Sequence, residues 1–90
     1  MHEVYGVRRF AVVLDTEPDA EPATVVMECA VCGESGTQVE VAVAGSEVER
    51  ALARRRAAEW VKRHRDRNRE HFTYRLVETS PCRLVPGDWR

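Results

Sequence analysis

Thr24-Val25-Val26-Met27-Glu28-Cys29-Ala30-Val31-Cys32-Gly33-Glu34-Ser35-Gly36-Thr37-Gln38-Val39-Glu40-Val41-Ala42-Val43 is the stretch on which the fold depends. Thr24 to Cys29 is β-branched and apolar, Thr37 to Val43 alternates with period two, and Gly33 to Gly36 supplies a turn. The reading is two strands flanking Cys29-x2-Cys32-Gly33 as a hairpin. Two thiols on a tight turn can converge on one ion, and backbone N–H groups there stabilise the thiolates.

Working outward, Ser46 and Glu49 form a Ser-x-x-Glu capping box, with Gly45 ending the strand before it, so a helix is predicted from Glu47 to Arg67. At 100° per residue, Ala53, Ala57, Trp60, Val61 and His64 share a sector about 100° wide, which puts His64 on the buried face beside Trp60. Val48 and Leu52 fall off that stripe. His71 to Val77 alternates again and predicts a last strand. Residues 79–90, with Pro81, Cys82, Pro86, Gly87 and Trp89, read as an irregular tail. Upstream, Val4 to Leu14 reads as one strand with Arg8 and Arg9 on a wet face. Asp15 to Pro22 carries four acids and two prolines, which neither a helix nor a central strand tolerates, so it reads as an exposed acidic loop.

His64 and His71, six residues apart, are the histidines that can join the two cysteines, since His2 lies near the start. The predicted constellation is Cys29, Cys32, His64 and His71 around one structural tetrahedral Zn²⁺ with no open position. If the helix ends near Arg67, Asp66-Arg67-Asn68-Arg69 makes the turn that returns His71 to the ion. The histidine spacing exceeds the usual three to five, and 31 residues separate Cys32 from His64, so the pattern is finger-like and not that of a standard DNA-reading finger. The plain alternatives are small buried cysteines, a hydrogen-bonded core His64, a surface His71, or Cys82 in place of one histidine.

Two catalytic readings compete with the metal clip. A dithiol oxidoreductase through Cys29 and Cys32 needs a helix N-terminus to activate the thiol, and Gly33-Glu34-Ser35-Gly36 follows instead. A hydrolytic zinc site needs a water position and a general base, as in His-Glu-x-x-His, and no such run occurs. Glu28 reads as an exposed strand carboxylate. The expectation is a protein that is not an enzyme.

Ninety residues fit one zinc-stabilised domain, 1–90, and exclude a two-domain enzyme. Fourteen Val, four Leu, two Phe and no Ile leave a core of Val and Ala, and a chain this short buries only about 60–65% of its unfolded surface. Such a core calls for a metal, disulfides or a partner. Three cysteines cannot pair completely, which favours the metal. No apolar run reaches 18 residues and no signal-peptide pattern opens the chain, so a soluble, cytoplasmic protein is expected.

Charge is distributed unevenly. Residues 1–49 hold two Arg against ten acids, and residues 50–90 hold twelve Arg and Lys against five acids. Arg50, Arg54, Arg55, Arg56, Lys62, Arg63, Arg65, Arg67 and Arg69 face only Glu59 and Asp66 over 20 residues. Arg54, Arg55, Lys62, Arg63 and Arg67 are therefore candidate contacts for nucleic acid or an acidic partner. A solvated face answered by the acidic segment 15–21 is the alternative, and a pI of 6.3 falls short of the value above about 9 typical of dedicated nucleic-acid binders.

Thr16-Glu17-Pro18-Asp19-Ala20-Glu21-Pro22, Met27-Glu28-Cys29-Ala30-Val31-Cys32-Gly33-Glu34, Trp60-x3-His64-x6-His71-x2-Tyr74 and Pro86-Gly87-Asp88-Trp89-Arg90 together resemble a family of small uncharacterised actinobacterial proteins, a domain of unknown function. The likeness covers most of the chain and implies a shared metal-site pattern. The Val39 to Val43 strand and the Arg-dense helix depart from that family.

The expectation is an α+β domain: an antiparallel sheet of three to four strands with one helix packed on it, around a zinc-finger-like ββα core. Its expected role is a zinc-binding interaction module of unknown partner.

Overall fold

The structure is a computed structural model that describes residues 4–5 and 8–89, with side chains for residues 10–87. In chain order its elements are β1 (Val4–Tyr5), β2 (Arg8–Leu14), β3 (Thr24–Cys29), β4 (Val39–Glu40), α1 (Glu47–Arg67), β5 (Tyr74–Thr79) and β6 (Cys82–Trp89). The architecture is α+β, with antiparallel strands divided between two three-stranded sheets ordered β1-β2-β6 and β4-β3-β5. Residues 22–80 form one compact unit, and residues 1–21 with 81–90 form another.

The helix of the larger unit begins and ends where its sequence signals stand. Ser46 Oγ accepts the Glu49 N–H at 3.2 Å, and Glu47 and Glu49 complement the positive end of the helix dipole. At the other end the Asn68 N–H donates to the His64 and Arg65 carbonyls, and Asn68 Nδ2 donates to the His64 carbonyl at 2.9 Å. These bonds satisfy carbonyls the ended helix would leave bare. Ala53, Ala57, Trp60 and His64 are buried, while Val48 is 78% exposed.

The helix packs on β3, and Ala23, Val25, Val41, Ala53 and Ala57 form the core, with Met27 and Val39 partly buried against it. These are small side chains. Among the described residues the largest fully buried ones are His64, Val25 and Cys29. Two of those three belong to the predicted ligand set.

Three strand boundaries in the sequence reading are corrected. Thr37 to Val43 contributes only Val39–Glu40, because β3 begins at Thr24, opposite Glu40, and residues beyond Glu40 have no strand beside them to pair with. One further bond, from the Val41 N–H to the Ala23 carbonyl, seats Val41 in the core. The His71 to Val77 strand starts at Tyr74 instead, since the turn capped by Asn68 occupies the residues before it. The residues read as one strand from Val4 to Leu14 form two antiparallel strands, with Tyr5 opposite Arg8. Gly6 and Val7, part of that predicted strand, lie outside the described residues.

In the smaller unit the stretch read as an irregular tail is largely strand β6, paired with β2 from Leu14–Cys82 to Arg8–Trp89. Pro86 fits because β6 has a neighbour on one side only, and it stands opposite Phe10 beside a register shift. Asp15 to Pro22 is the expected acidic loop. The Glu17 N–H donates to Asp15 Oδ1 at 3.1 Å, and Arg83 Nη1 donates to Glu17 Oε1 at 2.8 Å. Among the described residues no helix is long and apolar enough to cross a membrane.

Candidate metal centre

β3 ends at Cys29, and the chain turns at once. The Gly33 N–H donates to the Cys29 carbonyl at 2.8 Å, the Cys29 N–H donates to the Glu34 carbonyl at 2.8 Å, and the Gly36 N–H donates to the Met27 carbonyl at 2.9 Å. Gly33 takes φ +80, which strains any residue with a Cβ. These bonds hold Cys29 inside and leave Cys32 at the rim. The Ala30 N–H bonds the Thr73 carbonyl at 2.8 Å and fixes this turn beside the segment that carries His71.

His64 comes from the last buried turn of α1. His71 follows because its N–H donates to the Asn68 carbonyl at 2.9 Å, which folds the chain back toward the helix end. The result is a cluster of four: Cys29 Sγ lies 3.5 Å from His71 Nδ1, Cys32 Sγ lies 3.5 Å from His64 Nε2, and the two histidine nitrogens are 3.2 Å apart. All four atoms lie within 4.8 Å of one another, a spacing that could hold one metal ion. Each residue of the predicted ligand set is therefore brought to the cluster. Cys82 is not among them and sits on β6.

The surroundings suit a buried cation. The Cys29 thiol is held below its ordinary value: burial pushes it up, but the Cys32 and Val31 backbone N–H groups and the Cys32 thiol outweigh that. Trp60 stacks on the His64 ring at 4.6 Å between centroids, and Tyr74 meets both rings edge-on. Burial first, then negative charge on Cys29 and Cys32, pushes the Tyr74 hydroxyl above its ordinary value. Gly36 lets this arrangement close, since a Cβ there would stand 2.6 Å from Trp60 Cγ.

Glu34 escaped the sequence reading. Its Oε1 lies 3.7 Å from His64 Nδ1, a buried nitrogen with no hydrogen-bond partner. A carboxylate behind a ligand histidine selects the tautomer that leaves the other nitrogen free for metal. The one available signal was an acid directly after Cys-x2-Cys-Gly. Glu28, read as an exposed strand carboxylate, is partly buried and pairs with Arg75 at 3.2 Å.

The candidate cationic contacts divide. Arg54 is engaged, donating to Glu78 Oε1 at 2.8 Å and to Glu47 Oε1 at 3.0 Å, and Arg50 reaches the same Glu78 at 3.6 Å. The two pairs to Glu78 tie the helix to β5, and the pair with Glu47 lies within the helix. Arg55, Lys62, Arg63 and Arg67 are exposed and form no ion pair among the described residues.

Fold and cluster define a small α+β module with a Cys2His2 group able to hold a metal ion. The chain belongs to the family described as Domain of unknown function (DUF7848), which matches residues 1–89. No curated protein and no solved structure matches it.

Proposed function

We propose that the chain is a non-catalytic interaction module whose larger unit is held by a structural Zn²⁺ at Cys29, Cys32, His64 and His71, around a zinc-finger-like core. The convergence of four donors from three separate segments carries this reading. Two sulfurs and two imidazole nitrogens are a donor set that selects zinc. Zn–S of about 2.3 Å and Zn–N of about 2.05 Å at tetrahedral angles give edges of about 3.6 Å for S···N and about 3.3 Å for N···N. Three of the six donor–donor spacings, 3.5, 3.5 and 3.2 Å, match these edges, and all six lie within 4.8 Å. Four protein donors fill a tetrahedral ion, which leaves no position for a substrate or activated water. That argues for structure over catalysis.

Cys29→Ser and His64→Ala test the reading through far-ultraviolet circular dichroism and metal content. Both variants are expected to lose the ion and the ordered fold, because structural zinc contributes folding free energy directly. A variant that stays folded without metal would overturn the reading.

A further inference from the structure

Arg65 lies over the Phe72 ring, its Cζ 5.1 Å from the ring centroid, where the chain has just left the helix and passed His71. Phe72 is 65% exposed. With Asp66 and Arg69 these residues line a cleft of about 270 Å³. The lining combines an exposed aromatic ring, two guanidinium groups and one carboxylate. A nucleotide suits each of them: an aromatic face stacks a base, guanidinium groups take phosphate, and a carboxylate accepts from a base's exocyclic amine.

The helix extends this chemistry. At 100° per residue, Ala51, Arg55, Ala58, Lys62 and Arg65 fall within a sector of about 80°, on the side away from Ala53, Ala57, Trp60 and His64. Arg55, Lys62 and Arg65 are exposed and have no ion-pair partner among the described residues. The small alanines let a chain lie close against this row, which spans about 15 Å and runs toward the cleft. A polyanion is called for, and the cleft decides which. Asp66 repels phosphate and carboxylate alike, so the exposed Phe72 ring decides: it stacks a base and offers the carboxylates of an acidic peptide nothing. A duplex keeps its bases stacked inside, whereas a single strand presents them.

We propose that single-stranded nucleic acid binds along Arg55, Lys62 and Arg65, with one base stacked on the face of Phe72 that Arg65 does not cover. This deepens the interaction-module reading and rests on it, since the turn that carries His71 also carries Phe72. Fluorescence anisotropy of the zinc-loaded full chain tests it. The probes are labelled single-stranded RNA and DNA of about 12 nucleotides, the matching duplex, and polyglutamate. Single strands are expected to bind best, with affinity falling steeply from about 50 to about 200 mM salt. Phe72→Ala should weaken binding about tenfold and Phe72→Tyr should restore it. Lys62→Ala should lower the salt slope by about 0.7.

Native mass spectrometry of the same samples reports metal occupancy. Metal-loaded protein that binds no single strand at about 50 mM salt overturns the proposal and leaves the metal centre standing. Equal affinity for polyglutamate, or full affinity in Phe72→Ala, overturns it too. Should Phe72→Ala lose its metal, Arg69→Ala supplies the same comparison, and unchanged affinity there counts against the proposal. Single-strand binding by folded, metal-free protein would contradict the metal reading and leave this one in place.

Discussion

His64 Nε2 and His71 Nδ1 stand 3.2 Å apart although six residues separate them, and Asn68 makes that approach. It accepts the His71 N–H through its carbonyl and donates to the His64 carbonyl through Nδ2. A Cys-x2-Cys turn meets a histidine pair of unusual spacing because one residue both stops the helix and bends the chain back.

Gly36 sits against the indole that stacks on His64. In Gly36→Ala the new Cβ would stand 2.6 Å from Trp60 Cγ and 2.7 Å from Trp60 Cδ2, too close to absorb without moving the helix. A loss of about 1–3 kcal/mol is expected, read as a fall of several degrees in thermal midpoint with metal bound. Gly33→Ala should destabilise for a different reason. Nothing lies within 4 Å of its Cβ position, but φ +80 costs about 1–2 kcal/mol for a residue with a side chain. An unchanged midpoint in Gly36→Ala would mean that Trp60 is not packed there.

Glu34→Gln removes the charge facing His64 Nδ1 and keeps the shape. Metal affinity, measured by competition with a chromophoric chelator, should fall about 10- to 100-fold while the loaded protein keeps its fold. Affinity equal to the parent's would show that the carboxylate at 3.7 Å does not orient the ring.

The Arg54 guanidinium holds the Glu78 carboxyl below its ordinary value, and Arg50 adds to this. A depressed folded-state pKa means that the pair stabilises the fold above the ordinary carboxylate range. That contribution disappears as pH falls through the folded value. Urea melts of the parent and Glu78→Gln should therefore differ at neutral pH and converge in acid. A difference of the same size at both ends would show that the loss is one of packing, not charge.

Cys82→Ser separates the three cysteines. Cys82 lies on β6 outside the four-donor cluster, so the variant should keep full metal content and a midpoint within about 0.5 kcal/mol of the parent. Loss of metal in this variant alone would transfer a ligand role to it.

The helix was legible because its signals are local: the Ser46 hydroxyl, the acids of the first turn, and the 3.6-residue stripe ending at His64. The cluster of four was legible because a Cys-x2-Cys turn leaves His64 and His71 as the histidines that can join it. Strand ends were not, since β4 stops where β3 begins and β6 is a strand through its pairing with β2. Tertiary pairing overrides the irregular look that Pro86 and Gly87 give that segment. Glu34 and Phe72 were invisible for the same reason: each acquires its role from what a turn places next to it.

Native mass spectrometry of untagged protein produced with zinc available, repeated with circular dichroism after chelation, tests the central claim most directly. One zinc per chain, with the helix lost when the metal is withdrawn, is the predicted result. A metal-free chain that keeps the helix and its thermal midpoint would contradict the account.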